Sequence, residues 1–232
     1  MKAILILVAA AAATGCIPKA QPGSSAGAEN TPEGRPCSGD GVIDDGEDGN
    51  NQVNPAKGRA GYWYTFVDTA GSSIVPAGQF SMTPGGADGS SSAARMTGKV
   101  GNGQIVFAGM GLTFTDPKTP YDATAYKGLT FKAKKGPGTG ALRLKVPDVN
   151  TDPEGKVCTD KCFNDFGADI ELAEKWTTYA FPFASMRQLP GWGSPRPASI
   201  DPSKLYGVQF QVNSPGASFD VWVDDLRFTG CQ

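Results

Sequence analysis

The sequence contains no histidine. That removes His-based triads, His general bases and nearly all zinc or iron sites from consideration. It has no basic excess and no basic run. Lys and Arg total 21 against 23 Asp and Glu, for a net charge of −2. This balance argues against a nucleic-acid partner. No repeat recurs at a fixed period, and few segments carry the 3.6-residue pattern of a long helix. What remains is rich in Gly (31) and Pro (18) around short alternating segments. Many short strands and turns are therefore expected.

The one long apolar run, residues 3–13, follows Met1-Lys2 and leads into Ala13-Thr14-Gly15-Cys16. A basic start, a short hydrophobic region and a small-residue cleavage site make a signal peptide rather than a membrane span. Cysteine at the cleavage site makes it resemble a bacterial lipoprotein signal, with Cys16 as the lipidated first residue. The alternative is an ordinary secretory peptide with a spare cysteine. Ile17 stands where enterobacterial inner-membrane lipoproteins carry Asp, so by that analogy the outer membrane or cell surface is expected, otherwise a secreted or periplasmic protein. Residues 17–36 hold almost no large apolar side chain and read as a disordered tether with a reach of about 25 Å. The expected organisation is a leader over 1–15, a tether over 16–36 and one ordered, monomeric domain over 37–232.

Setting Cys16 aside leaves Cys37, Cys158, Cys162 and Cys231. An even number in an exported chain reads as a disulfide framework. Cys158 and Cys162 close a small local loop, which leaves Cys37 for Cys231. A metal site built on the local pair is the alternative, but no second thiol pair or histidine completes it.

The closing segment carries the strongest pattern. Phe219, Val221 and Val223 share one parity, Leu226 and Phe228 the other, and the change falls at Asp224-Asp225. A β-bulge is expected there, or else a parity that puts Trp222, Asp224, Leu226 and Phe228 on one side. Either sets a carboxylate where a hydrophobic residue was due, which needs compensation by a cation or by backbone N–H donors. Near the other end, Asp44-Asp45-Gly46-Glu47-Asp48 is a dense acidic stretch. A disulfide between Cys37 and Cys231 would make the first and last strands neighbours and bring the two acidic segments together. Shared oxygen ligands would suit Ca²⁺. An EF-hand loop fails from Asp44, because its third ligand position is Gly46 and its twelfth is Pro55.

Further strands are expected at residues 61–67, 79–82, 93–100, 105–108, 112–114, 129–134, 142–146, 168–172, 176–183 and 208–212. Glycines at 109 and 111 suggest a bend or a close backbone approach. The segment 147–163 is long for a hairpin loop, a mild functional pointer. About ten short strands without a long helix predict an all-β fold, a two-sheet antiparallel jelly-roll β-sandwich.

In order along the chain come the acidic stretch, Leu129-Thr130-Phe131, Trp176-Thr177-Thr178-Tyr179, Phe181-Pro182-Phe183, Gln188-Leu189-Pro190-Gly191-Trp192-Gly193, Leu205-Tyr206-Gly207-Val208-Gln209-Phe210 and Val221-Trp222-Val223-Asp224-Asp225-Leu226. This order resembles the galactose-binding-like jelly rolls, in particular the family 11 type of carbohydrate-binding module. The resemblance implies two sheets, a structural Ca²⁺ near the chain ends and a glycan laid on a sheet face or across loop tips. It carries the metal over onto Glu47, with Asp45 as a lesser candidate, and onto Asp224 and Asp225. The alternative is a solvated acidic loop.

Sugars are held by aromatic faces and by side chains that reach hydroxyl groups in pairs. Arg143 and Lys145, Gln209 and Gln211, and Asp169 and Glu171 all point away from the apolar parity of their strands. Adjacent strands would gather them on one face. Trp192 is the first candidate for stacking, followed by Tyr62, Tyr64, Tyr126 and Tyr206, while Trp176 and Trp222 are expected in the core. The leading expectation is an exported, lipid-anchored, non-catalytic module for a polysaccharide or glycan. The alternatives are a structural or adhesive lipoprotein, and a glycoside hydrolase or polysaccharide lyase using Asp165, Asp169 and Glu171.

Overall fold

The computed structural model describes residues 34–231. The expected leader, most of the tether and Cys16 lie outside the described residues. Twelve strands are described, in order β1 (Val42–Asp44), β2 (Trp63–Val67), β3 (Ser73–Val75), β4 (Thr83–Pro84), β5 (Ser92–Lys99), β6 (Ala108–Thr113), β7 (Gly128–Lys135), β8 (Ala141–Val146), β9 (Phe166–Glu171), β10 (Thr177–Pro182), β11 (Gly207–Val212) and β12 (Ser218–Thr229). Every helical element among the described residues is a three-residue 3₁₀ turn.

The strands form two antiparallel sheets. One has five strands in the order β2-β6-β11-β8-β9. The other has the order β10-β7-β12-β5-β3, with β1 added to β12 and β4 to β5. Inward residues of both sheets meet in one core that includes Trp63, Met110, Phe131, Leu144, Phe210, Val221 and Phe228. Aromatic contacts knit it, as where Phe131 meets Phe210 edge-on at 5.0 Å between centroids.

The bulge is where the alternation places it. Pairing of β12 with β7 shifts register between Asp224 and Arg227. Asp225 takes a left-handed backbone, φ +51°, so Val221 and Val223 before it and Leu226 and Phe228 after it all reach the core. At the same place β12 changes partners. It pairs with β5 up to Val223 and with β1 at Leu226 and Arg227. First and last strands are thus neighbours, and the Cys37 N–H donates to the Phe228 carbonyl at 2.8 Å. Disulfides join Cys37 to Cys231 and Cys158 to Cys162, with Cα–Cα distances of 5.9 and 5.7 Å.

Strand expectations are corrected at residues 79–82 and at Ile105. Residues 79–82 form no strand of their own; Gln79 makes one bridge to Tyr64, and the short strand follows at β4. Of the bend or close approach expected at glycines 109 and 111, the structure has the close approach, with the Phe210 and Val208 carbonyl oxygens 2.8 and 2.7 Å from where a Cβ would stand. Both glycines lie inside a continuous β6 paired on both sides. Ile105, expected in a strand, is 80% exposed in the loop before β6.

Candidate functional site

The outer face of the five-stranded sheet gathers the predicted polar residues in register. Across one row stand Tyr64, Gly111, Gln209, Lys145 and Gly167. Across the next stand Phe66, Gly109, Gln211, Arg143 and Asp169. Alternation accounts for this: Trp63, Met110, Phe210 and Leu144 take the inward parity, so their neighbours point out.

The rows have an aromatic side, a glycine floor and a polar side. Tyr64, Phe66 and Phe107 form a stripe with centroid spacings of 6.0 and 6.1 Å. Tyr62, half-buried, precedes Tyr64 on the same parity. A Cβ at Gly109 would stand 2.4 Å from the Phe66 ring and 2.8 Å from the Phe210 carbonyl oxygen. At Gly111 it would meet the Gln209 side chain at 2.9 Å. Glycine is therefore required along β6 for the flanking side chains to lie across it.

The polar side is pre-paired. Gln209 Nε2 donates to the Tyr64 hydroxyl at 3.0 Å. Arg143 Nη1 bonds Asp169 at 3.0 Å, and its Nη2 donates to the Arg187 carbonyl at 2.8 Å. Lys145 Nζ donates to Gln211 Oε1 at 3.3 Å and stands 2.9 Å from Asp165 Oδ2. The last contact is an ion pair by distance without the angle of a hydrogen bond, so the buried Asp165 carboxylate keeps acceptor capacity to spare. Burial pushes the Tyr64 phenol up to about 12, against the pull of the Gln209 hydrogen bond and with help from the Asp165 and Asp152 carboxylates. The phenol stays protonated and able to donate.

A rim closes the β9 end. Just before β9, Asn164 Nδ2 donates to the carbonyls of Leu189 and Trp192 at 2.9 and 2.7 Å, while its Oδ1 accepts from Leu189 N at 2.9 Å. Thr159 N and Ser194 O meet at 2.9 Å, as do Ser194 N and Asp160 O, which joins the disulfide loop to the Trp192 loop. Trp192 is half-buried there. Phe163, next to Asn164 in the chain, is 53% exposed at φ +73°, an uncommon backbone for an aromatic residue.

Several candidates lie elsewhere. Tyr126 is in the core, stacked on Phe228 at 4.2 Å, and lines no part of this face. Tyr206 is buried too. Trp176 and Trp222, expected inside, are half-exposed on the outer face of the other sheet. Phe66, Phe107, Asn164 and the spare capacity of Asp165 went unnoticed as site features in the sequence. The parity that exposes Tyr64 also exposes Phe66, so that signal was available.

At the chain-end corner, Asp44 and Asp224 line one cavity of about 10 Å³ with Trp63, Met82 and Leu226. Asp44 accepts from Gly46 N at 2.7 Å and Trp63 Nε1 at 2.9 Å. Burial nevertheless pushes it up to about 7. Burial also raises Asp224, which accepts from the N–H groups of Ala87 and Asp225 at 2.7 Å each. Asp225 turns the other way, to Lys132 at 2.7 Å and Arg227 at 2.9 Å. Glu47 Oε1 accepts from Ser90 Oγ, Ser91 N and Ser92 N. Asp45 stays at the mouth of the loop, half-buried. Among the described residues no three acidic, Cys or His side chains converge as a metal-holding group.

No family model matches the chain, and no curated protein sequence is similar to it. Solved structures are similar in fold. A family 11 carbohydrate-binding module from Clostridium thermocellum, in complex with a β-1,3-1,4-mixed-linked tetrasaccharide, superposes with a TM-score of 0.52 at 14% identity, over 73% of this chain and 89% of that one. The family 11 module of the cellulosomal cellulase Lic26A-Cel5E of the same organism gives 0.51 at 14% identity, over 73% and 88%. A family 30 carbohydrate-binding module gives 0.50 at 12% identity, over 72% and 91%. The chain therefore has the β-jelly-roll fold of the family 11 carbohydrate-binding modules.

Proposed function

We propose that this protein is a non-catalytic glycan-binding module that holds an extended polysaccharide along the outer face of its five-stranded sheet. The observation that carries this reading is the registered face itself: an aromatic stripe on β2, a glycine floor on β6, and paired Gln, Arg, Lys and Asp side chains on β11, β8 and β9. Pyranose C–H faces pack on Tyr64, Phe66 and Phe107. Gln209, Gln211 and Asp169 reach hydroxyl groups, and the buried Arg143 holds Asp169 in place for them. Pairing among these side chains before binding limits the ordering that binding must impose. Trp192 and Phe163 extend the contact at the β9 end.

Affinity electrophoresis against soluble β-glucans tests it. Retardation is expected for the cleaved domain and lost in Tyr64→Ala and Phe66→Ala. No retardation on any glycan would overturn it. A structural or adhesive role is favoured by a different reading of the same pairs, in which Gln209–Tyr64, Arg143–Asp169 and Lys145–Asp165 satisfy one another and need no ligand. A glycan array blank across all classes would select that role.

Export and a lipid on Cys16 belong to the same proposal. Among the described residues no helix is long and apolar enough to cross a membrane, and two disulfides suit an oxidising compartment. Mass spectrometry of the mature protein would find a diacylglycerol-modified Cys16 or a free one.

A Ca²⁺ at the chain-end corner is proposed in narrower form than the sequence suggests. The residues that fit are Asp44 and Asp224, two buried carboxylates facing one small cavity, with the Ser90 side chain in contact with both Asp224 and Glu47. Asp225 is committed to its cations. A bound ion would hold both carboxylates ionised and clamp β1 to β12. Binding at a hundred times Kd would add about 2.7 kcal/mol. Thermal unfolding in millimolar Ca²⁺ and in chelator checks this, and superimposable curves would sink it.

A further inference from the structure

The seven-stranded sheet carries a second aromatic surface that the glycan-binding face does not explain. Arg95, Trp222 and Lys134 occupy one row across β5, β12 and β7. Trp176, one residue beyond the Thr177–Ala133 pair of β10 and β7, continues it. Arg95 Cζ lies 4.4 Å from the Trp222 centroid. Lys134 Nζ sits between the two indoles, 4.8 Å from Trp222 and 4.7 Å from Trp176. The indoles meet edge-on at 6.4 Å.

The four members of the row differ in what they leave unused. Arg95 is neutralised by Asp220, through Nε at 3.0 Å and Nη2 at 2.9 Å. Trp222 has cations on either side, so its ring faces are taken. Lys134 has no carboxylate within ion-pair distance among the described residues, although its neighbours Lys132 and Lys135 do. Trp176 stands at the sheet's edge, because no strand lies beyond β10, and the ring face away from Lys134 has no neighbouring strand to cover it. Beside it opens a shallow hollow of about 380 Å³ lined by Lys135, Gly136, Pro137, Gly138 and Glu174.

We infer that this edge is a second binding site, for a uronate-bearing polysaccharide, with the Trp176 indole against the pyranose C–H face and the Lys134 ammonium on the ring carboxylate. A neutral sugar would use the indole and leave the ammonium without a counter-charge. A phosphate backbone would need several free cations, and the row offers one. A carboxylate held directly on a pyranose ring meets both groups at once. With the outer face of the other sheet holding a neutral chain, one molecule would bridge two polysaccharides.

Tryptophan emission separates this site from the first, whose stripe is Tyr and Phe. In a Trp192→Phe host, the remaining tryptophans are the buried Trp63 and the two of this row. Titration with oligogalacturonate is expected to shift and saturate the emission. K134Q should weaken the affinity at least tenfold, W176A should abolish it, and the fully methyl-esterified oligosaccharide should bind at least tenfold more weakly. No saturable change, equal affinity in K134Q, or equal binding of polyglutamate would each overturn the proposal. Retardation by neutral β-glucan, read in parallel, fails or holds separately, so the two readings cannot be confused.

Discussion

Arg59 shows what a single buried residue can anchor. It is 2% exposed and meets no carboxylate in its hydrogen bonds. Its guanidinium donates instead to the carbonyls of Asn54, Asp40 and Val42 at 3.1, 2.8 and 2.7 Å and to the Tyr121 hydroxyl at 3.1 Å. These acceptors hold the chain around β1 against the core. Removing the donors leaves buried carbonyls unpaired, so Arg59→Met should cost about 3 kcal/mol in urea unfolding. A loss under half that would mean the carbonyls find other donors. Asp148 makes a comparable knot, accepting from Asn150, Thr151 and Asp201. Burial holds its carboxyl above the ordinary value, against the pull of these donors. The folded state then binds the proton more tightly than the unfolded state, whose Asp titrates near about 3.9. Its contribution is complete below that pH and is lost as pH rises through the higher folded value. Asp148→Asn should flatten that part of the decline above pH 4, as followed by denaturant midpoints. Neither knot was legible in the sequence, because each depends on loops far apart in the chain. Trp176 was legible and misread. Tyr179 and Phe181 already claim the inward parity of their strand, which leaves this tryptophan outside.

Among the elements, β6 and β12 carry most of what the fold does for the site. In β12 the alternation was enough to place the bulge at Asp224-Asp225 but not to put Trp222 outside, because a second parity with Trp222, Leu226 and Phe228 together fits the same residues. Strands β8, β9 and β11 were legible from their alternation, and their outward Arg143, Asp169, Gln209 and Gln211 met as expected. Their neighbours across the sheet were not, because pairing order is a property of the whole chain. β6 gives the clearest test. Ala108-Gly109-Met110-Gly111-Leu112 reads as a weak strand, yet its glycines are the floor on which Phe66 and Gln209 rest. Gly109→Ala forces a Cβ towards the Phe210 carbonyl oxygen, which cannot retreat without breaking the β6–β11 ladder. About 1–3 kcal/mol of stability should be lost, and Phe66 should be displaced from the stripe. Glycan retardation should fall with it. A Gly109→Ala protein with unchanged midpoint and unchanged retardation would show that the floor has no such role.

Across the whole molecule, the two disulfides ought to do different work, and their spacing says why. Cys37 and Cys231 are 194 residues apart, while Cys158 and Cys162 are 4 apart. A cross-link restrains the unfolded chain more as its loop lengthens, which by the chain-entropy relation is worth about 5 kcal/mol for the first and about 2 kcal/mol for the second. The first closes the sandwich where β1 lies on β12, so its loss frees both ends of the chain together. The second holds the Phe163 and Trp192 loops at the rim of the five-stranded sheet's outer face, away from the core. Replacing Cys37 and Cys231 together by Ser should therefore lower the unfolding midpoint far more than replacing Cys158 and Cys162. Glycan retardation should respond in the reverse order when both variants are measured well below their midpoints. Equal midpoint shifts would mean that the β1–β12 pairing alone keeps the termini together and that the long cross-link adds nothing to it.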